Sequence, residues 1–305
     1  MTKSSIHAGR ERRAGSARRF ARCEPNRPHE LCVAIGGEWN PLYTGRFART
    51  VCADRRVARR VALIIPTLLL IAGCAAPAAL NDVIVMGMIH DGHRTSTKYG
   101  IDVLKRAIER IDPDYVLCEI PPDRLDAAVQ EFRTSGKVVE PRVSRFPEYV
   151  DALLPLSSEM DFEIVPCAAW TKPMSDARAA KLALFETSRA DEYAEMSEAE
   201  AWANQKLSDE GMNDDPVLIH TDRYDEIVAR GLEPYNRLFN DALGAGGWDN
   251  INAGHYALIE RALDAHRGEG KRFLIMFGAW HKYWIRAQLR GRDDIRLVPT
   301  APFFE

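Results

Sequence analysis

The chain has 305 residues, of which 46% are hydrophobic, and a formal net charge of −3 at pH 7. That length and composition are typical of a globular protein with one large domain or two small ones. The charge is unevenly distributed: residues 1–60 contain 14 Lys and Arg against 5 Asp and Glu, whereas residues 74–305 contain 27 basic and 39 acidic residues. Nucleic-acid binding depends on clustered Lys and Arg, so we expect no nucleic-acid partner for the acidic body.

The first segment, residues 1–56, is rich in arginine, lacks apolar periodicity and contains three scattered cysteines. A segment of this composition buries too little apolar surface to fold by itself. We interpret it as a basic, disordered extension that is removed or not translated, with translation from near Val57 as one route. A basic arm that binds nucleic acid and a mitochondrial presequence are the alternatives.

Residues 57–74 carry the features of a secretory signal peptide. A pair of arginines precedes an uncharged apolar run at 61–73, which is shorter than the about 20 residues that a membrane-spanning helix needs. The run ends in Ile-Ala-Gly-Cys and resembles a bacterial lipobox, which implies lipidation of Cys74 and, because alanine follows, sorting to the outer membrane. We therefore expect a lipoprotein of the bacterial cell envelope that faces the periplasm and contacts the membrane through Cys74, with residues 75–80 as a tether. The alternative is a buried helix that happens to end in cysteine.

Beyond residue 81 the pattern alternates between strands and helices, which predicts parallel strands joined by helical crossovers. The predicted strands are 83–88, 115–120, 162–166, 272–277 and 295–299, and the predicted helices are 99–111, 123–133, 147–159, 250–268 and 280–290. Residues 81–305 are therefore expected to form an α/β domain with a mostly parallel central sheet flanked by helices. Its two cysteines, Cys118 and Cys167, each follow an apolar run, so we expect two buried thiols rather than a disulfide.

A helical insertion is predicted at about 174–245. This stretch is rich in Ala, Glu, Asp and Lys, and its periodicity predicts amphipathic helices near 174–208, 215–231 and 233–243. Such an insertion either covers a functional site as a lid or only enlarges the fold, and the sequence leaves both possibilities open.

Three of the apolar runs end in residues that can carry chemistry. Gly87 and Gly278 close two of the runs, and each precedes a histidine by three residues, His90 and His281, while a third run ends on Glu119. Ligands bind beyond the carboxyl ends of the strands in open parallel sheets, and a glycine there lets the backbone turn and leaves room beside an imidazole. Neutral imidazole and carboxylate form a common ligand set for zinc, manganese, cobalt or iron. The sequence thus predicts a metal or acid–base site at this edge.

The two Gly-x-x-His motifs and the strand-end glutamate resemble the pattern of the TraB/PrgY/GumN family, which includes the Tiki metalloproteases and has the ChaN-like and erythromycin-esterase-like proteins as wider relatives. The resemblance covers about residues 81–299 and assigns the pattern to His90, Glu119 and His281. It implies an α/β fold with both motifs at one site and a peptidase activity that depends on a divalent metal, for which Mn, Co and Zn are the candidates. The family's arginine motif on the helix before the second Gly-x-x-His has no counterpart in residues 249–255.

Further candidates surround this triad. Arg124 closely follows the strand-end glutamate and can bind a carboxylate or an oxyanion, so we include it among the catalytic candidates, with a surface ion pair as the alternative. Asp91 can orient the first histidine or bind metal, and His93 can be a further ligand, a base or an exposed loop residue. Asn252 and His255 lie one helical turn apart on one face, so they can reach the site together.

Several common active-site motifs are absent from the sequence, namely His-Glu-x-x-His, Gly-x-Ser-x-Gly and the phosphate-binding loop. Our leading hypothesis is a lipid-anchored envelope protein with a metal-dependent hydrolase site, in which the ion activates water for attack on a peptide or a small ester or amide. One alternative is a non-catalytic lipoprotein that holds haem or a metal through its histidines. Another is a regulatory protein that sequesters a peptide signal.

Overall fold

The computed structural model of the protein describes residues 79–305. Our expectations for the basic extension, the signal peptide, the lipidated Cys74 and most of the tether concern residues outside that range. Within the described range, no helix has both the length and the apolar character needed to cross a bilayer.

The core of the fold is one five-stranded sheet. Its strands are β1 (Asn81–Met88), β2 (Tyr115–Cys118), β3 (Glu163–Pro166), β4 (Arg272–Gly278) and β5 (Ile295–Leu297). They lie in the order β3-β2-β4-β1-β5, and all four pairs are parallel. The predicted α/β class with a mostly parallel sheet is therefore confirmed.

The strands are apolar almost throughout because both faces of the sheet are covered. In β1, Val83 and Val85 face one hydrophobic cluster, whereas Ile84 and Met86 face the other, as the two-residue period of a strand requires. The same alternation continues along β4, which lies at the centre of the sheet. This burial fixes the register of the two central strands, since a slip of one residue would exchange their faces.

Helices cover the sheet and form the insertion. They are α1 (Ile101–Ile111), α2 (Leu125–Ser135), α3 (Leu154–Leu156), α4 (Lys172–Ser188), α5 (Ala190–Asp209), α6 (Pro216–Ile219), α7 (Asp222–Leu243), α8 (Trp248–Ala265) and α9 (Lys282–Leu289). Helices α4 to α7 make up the predicted insertion. The thiols of Cys118 and Cys167 are free and buried, as expected.

The insertion differs from its prediction in where helices end. The single helix expected at 174–208 is two helices that meet at Arg189, whose guanidinium donates to the Leu238 carbonyl at 3.0 Å and lies 4.5 Å from the Phe239 ring. The two helices expected at 215–231 and 233–243 are mainly one, α7, which continues through Pro234. Proline normally interrupts a helix, but Pro234 is on the buried side of α7, where packing outweighs the local preference.

A further difference lies between α2 and α3. An ordinary helix was predicted at 147–159, but residues Glu148–Leu153 form a π-helical turn that continues into the short helix α3. Turns of this kind are rare and occur often at functional sites. This one lies against α1 and carries two side chains into the candidate site.

Candidate metal and acid–base site

The carboxyl ends of three strands bring the sequence-predicted triad to one edge of the sheet. Glu119 directly follows β2, His281 follows β4, and His90 follows β1. Because β4 lies between β1 and β2, the residues that follow these strands are neighbours in space although up to 191 positions apart in sequence. Glu119 is also bonded across this edge, where its Oε2 accepts from the Gly278 N–H at 2.9 Å.

The glycine of each Gly-x-x-His motif makes room for the other motif. A Cβ on Gly278 would lie 2.7 Å from Nε2 of His90 and 3.5 Å from Oε2 of Glu119. A Cβ on Gly87 would lie 3.0 Å from both Cα and Cβ of Ala279. Contacts this short require the neighbour to move, so a side chain at Gly87 would press on the backbone of the other motif and one at Gly278 would displace the His90 imidazole.

The ligand-type cluster differs from the predicted one in one member. Glu119, His255 and His281 each offer a donor atom, and these atoms lie within 4.8 Å of one another. This group differs from the predicted metal set of His90, Glu119 and His281: among the described residues, His255 rather than His90 lies in the group of three. The reason is tertiary, because α8 packs His255 beside His281, with ring centroids 5.2 Å apart, while Nδ1 of His90 contacts Glu148.

His281 is held in the tautomer that a metal ligand needs. The amide nitrogen of Asn252 donates to the Trp248 carbonyl at 2.8 Å, which leaves the Asn252 Oδ1 to accept from Nδ1–H of His281 at 2.6 Å. The lone pair of Nε2 therefore faces Glu119, whose Oε1 lies 3.7 Å away. The Trp248 ring stacks on the imidazole at 4.5 Å and 12°. Burial, with the charges of His90 and Arg178, lowers the pKa of His281 to about 3, so the ring is neutral at pH 7.

His255 offers an unpaired ring nitrogen. The side chain is fully buried, its Nδ1 accepts from the Ala169 N–H at 2.9 Å, and its Nε2 has no hydrogen-bond partner. Burial, and then the charge of His281, lowers the pKa of His255 to about 3. The neutral ring in this arrangement carries its proton on Nε2, so an ion there requires the proton to move to Nδ1 and the Ala169 bond to break.

The donor set nevertheless fits a divalent ion. Losing the Ala169 bond costs about 1–3 kcal/mol, which is small beside the roughly 10 kcal/mol or more with which proteins bind structural zinc. Two neutral imidazoles and a carboxylate match the ligand preferences of Zn²⁺, Co²⁺ and Mn²⁺. The orphaned Nε2 of His255 is the kind of buried atom that a bound ion would satisfy.

His90 forms a second, adjacent pair with Glu148. Its Nδ1 lies 2.6 Å from the Glu148 Oε1, and the carboxylate is fully buried, with no partner for Oε2. Burial by itself would lower the pKa of His90, but the hydrogen bond and charge of Glu148, with the charge of Glu119, raise it above the ordinary value. The backbone of His90 has φ of 51°, a left-handed conformation that is uncommon for residues other than glycine.

A cavity of about 580 Å³ opens beside these groups. Both motif histidines line it, and the insertion supplies one wall through α5 and α7. The described side chains that line it include the aromatic rings of Tyr224, Trp248 and Trp280 and the amides of Asn204 and Asn213, but no Asp, Glu, Lys or Arg. The walls are thus uncharged apart from the titratable imidazoles.

Three of the predicted candidates do not join the cluster. Asp91 is exposed and pairs with Arg94 at 2.9 Å. His93 is buried, but Nε2 accepts from the Ile89 N–H and Nδ1 donates to the Tyr99 carbonyl, so neither nitrogen is available to an ion. Arg124 pairs with its neighbour Asp123 at 3.1 Å and lies 3.9 Å from Glu140, which is the surface ion pair considered as its alternative. Asn252 and His255, by contrast, both reach the site, as described above.

Sequence reasoning missed two residues of the site. Glu148 follows a loop and begins a helical segment, where an acidic residue is ordinarily explained by the helix dipole, so no local signal distinguishes it. Trp248 is the first residue of α8, and its position one helical turn before Asn252 was the available signal. Arg178, on α4, is a further neighbour, since its charge contributes to the lowered pKa of His281.

Comparisons with known proteins give no relative. No family model, no curated protein and no solved structure matches the chain.

Proposed function

We propose that this protein is a metal-dependent hydrolase with a peptidase-like site that cleaves an uncharged amide or ester. The observation that carries the proposal is the convergence of the donor atoms of Glu119, His255 and His281 within 4.8 Å at the carboxyl edge of the sheet. The cavity beside His281 provides room for a substrate. Sites in open α/β sheets occur at this edge.

In this proposal, different residues of the site bind the ion, orient a ligand and transfer a proton. Glu119, His255 and His281 would hold a divalent ion, which would supply Lewis acidity to activate a water molecule and polarise a carbonyl. Asn252 and Trp248 fix the orientation of His281, as partners of metal-binding histidines commonly do. His90, which lines the cavity, takes the role of general base and moves a proton at Nε2, because its Nδ1 is already engaged.

The substrate class follows from the cavity walls. Asparagine amides both donate and accept hydrogen bonds, and the three aromatic rings offer apolar contact. With no Asp, Glu, Lys or Arg among the described lining residues, the cavity matches a neutral peptide or a small ester or amide better than a charged group. The haem alternative has less support, since His281 is only 7% exposed and is covered by Trp248.

The cellular location is part of the same proposal. The lipobox-like run that ends at Cys74 supports a lipid anchor in the bacterial cell envelope, with the α/β domain in the periplasm. We propose the outer membrane as the anchored membrane because alanine follows the cysteine.

The test is metal content and affinity on the full-length chain. Elemental analysis and titration with Zn²⁺, Co²⁺ and Mn²⁺ should find close to one ion per chain. His255→Ala and His281→Ala should each abolish binding, His90→Ala should retain the ion but lose turnover in a peptide and ester screen, and His266→Ala should behave as the wild type. A protein that binds none of the three ions would contradict the metal-dependent mechanism and would leave an acid–base site without metal.

A further inference from the structure

We propose that Glu148 is a positioning residue for His90, which it holds in the Nδ1–H tautomer with Nε2 available for proton transfer, so that the two form a carboxylate–imidazole dyad. The proposal rests on the proposed hydrolase function, because a general base needs a fixed orientation and a free lone pair. It concerns a residue outside the ligand cluster and adds a second functional unit to the site.

The first support is the contact itself. The Glu148 carboxylate is fully buried and lies 2.6 Å from Nδ1 of His90, whereas the imidazole side chain is 38% exposed. A carboxylate accepts but does not donate, so Nδ1 of a neutral His90 carries the proton and Nε2 the lone pair. The second oxygen of Glu148 has no partner. A buried polar oxygen left without a partner costs stability, and such a cost is commonly retained at functional sites.

The second support is the backbone on both sides of the contact. His90 has φ of 51°, and non-glycine residues in this region cost of order 1–3 kcal/mol and cluster at active sites. Glu148 begins the π-helical turn, a rare geometry that is also enriched at functional sites. Two uncommon local conformations therefore meet at one hydrogen bond.

The third support is that the same turn also holds the ligand cluster. The hydroxyl of Tyr149, the residue after Glu148, accepts from the Glu119 N–H at 3.0 Å and donates to the Met276 carbonyl at 3.1 Å. The π-helical turn thus contacts the backbone of Glu119 through the Tyr149 hydroxyl, beside the bond of that N–H to the Met276 carbonyl at 3.2 Å, and contacts His90 through the Glu148 carboxylate. Its conformation sets the spacing between the proposed base and the proposed metal site.

Selective ¹⁵N labelling of histidine in the full-length chain tests the tautomer directly. At a pH where His90 is neutral, the NMR spectrum should show its proton on Nδ1. In Glu148→Leu, which removes the acceptor without adding an unpaired polar group, the Nε2–H form should predominate, and Glu148→Gln should give an intermediate population. A wild-type His90 with its proton on Nε2 would overturn the proposal, and this outcome needs no variant to fold.

Kinetics and a matched control complete the test. On a substrate found in the screen, Glu148→Leu should lower kcat roughly 10²–10⁴-fold, the range ascribed to general acid–base catalysis, with little change in KM. Glu140→Gln is the control, because Glu140 is also buried but its carboxylate contacts a backbone N–H and Arg124 rather than a histidine. Metal affinity should be unchanged in both variants. A wild-type protein that binds no metal but has the His90 proton on Nδ1 would refute the hydrolase mechanism and leave the dyad intact. A Glu148→Leu variant with the wild-type kcat and the wild-type His90 tautomer would refute the dyad.

Discussion

Gly278 of the second motif and His90 of the first are in such close contact that a Cβ on Gly278 would lie 2.7 Å from the His90 Nε2. The two residues belong to motifs near opposite ends of the domain's sequence, and the pairing of β1 with β4 places Gly278 opposite Met88 in the sheet. The two Gly-x-x-His motifs therefore pack directly against each other. The Gly278 position faces the His90 imidazole, whereas the Gly87 position faces the backbone of Ala279.

Gly278→Ala should lower turnover sharply without unfolding the protein. The atom in its way is the tip of a side chain, so the imidazole can move aside at small cost, but a general base displaced by about 1 Å loses roughly 100-fold in rate. We expect kcat to fall by about that factor while the thermal unfolding midpoint stays within a few degrees of the wild type. Gly291→Ala is the control, because its Cβ would meet only the Gln288 carbonyl at 3.4 Å. Wild-type turnover in Gly278→Ala would contradict the assigned role of His90.

Gly87→Ala, in contrast, should lower the stability of the fold. Its Cβ would meet the backbone Cα of Ala279 at 3.0 Å, and two paired central strands cannot move apart as easily as a side chain can rotate. Overpacking of this kind typically costs about 1–3 kcal/mol. Urea denaturation should show a loss of that size in the free energy of unfolding. A variant as stable as the wild type would mean that the contact between the two motifs is looser than the distances indicate.

Asn252→Leu should weaken metal binding while leaving all three proposed ligands in place. The substitution removes the acceptor that fixes Nδ1–H of His281, and loss of such a partner commonly costs 10–100-fold in metal affinity. Competition titration with Zn²⁺ measures the change. Asn204→Ala serves as the control, since Asn204 lines the same cavity but its amide contacts only the Glu200 carbonyl. An affinity within twofold of the wild type would show that Asn252 does not orient the ligand.

His220 should make the fold sensitive to acid. Its Nε2 accepts from the Gly87 N–H and its Nδ1 donates to the Pro216 carbonyl, so protonation would place two N–H groups against each other. Burial, and then the charges of Lys282 and Arg286, lowers the pKa of His220 to about 3. Because the unfolded chain binds the proton with a pKa near 6.5, the unfolded state takes up more protons between pH 6.5 and 3, and stability falls as the pH is lowered through this window.

The corresponding measurement is the free energy of unfolding from urea denaturation at several pH values. His220→Gln keeps one donor and one acceptor but cannot be protonated, so its stability should fall less steeply between pH 6.5 and 4 than that of the wild type. His266→Gln provides the comparison at a histidine that pairs with Glu269 near the surface. Parallel curves for the wild type and His220→Gln would show that another group dominates the acid response.

The pattern of consecutive residues was enough to predict the strands and helices and the strand ends that carry the candidate site residues. Apolar runs buried on both faces predict parallel strands, and glycine, histidine and glutamate at their ends predict a polar edge, because strand period and burial are local properties that are written in consecutive residues. The same holds for the amphipathic insertion, whose helical class was correct, although the break at Arg189 was not predicted and the break predicted between 231 and 233 does not occur.

Which side chains meet depends on tertiary packing. The sheet order places β4 between β1 and β2, and the packing of α8 against this edge brings His255 into the cluster in place of His90. Neither the contact of Glu148 with His90 nor the burial of His93 has a local signal in the sequence, since one residue resembles a helix-start acid and the other a loop histidine. Side-chain direction at a strand end depends on the backbone conformation of one or two residues and on neighbours distant in sequence. Periodicity therefore identified the edge of the sheet, and packing selected the residues that form the site.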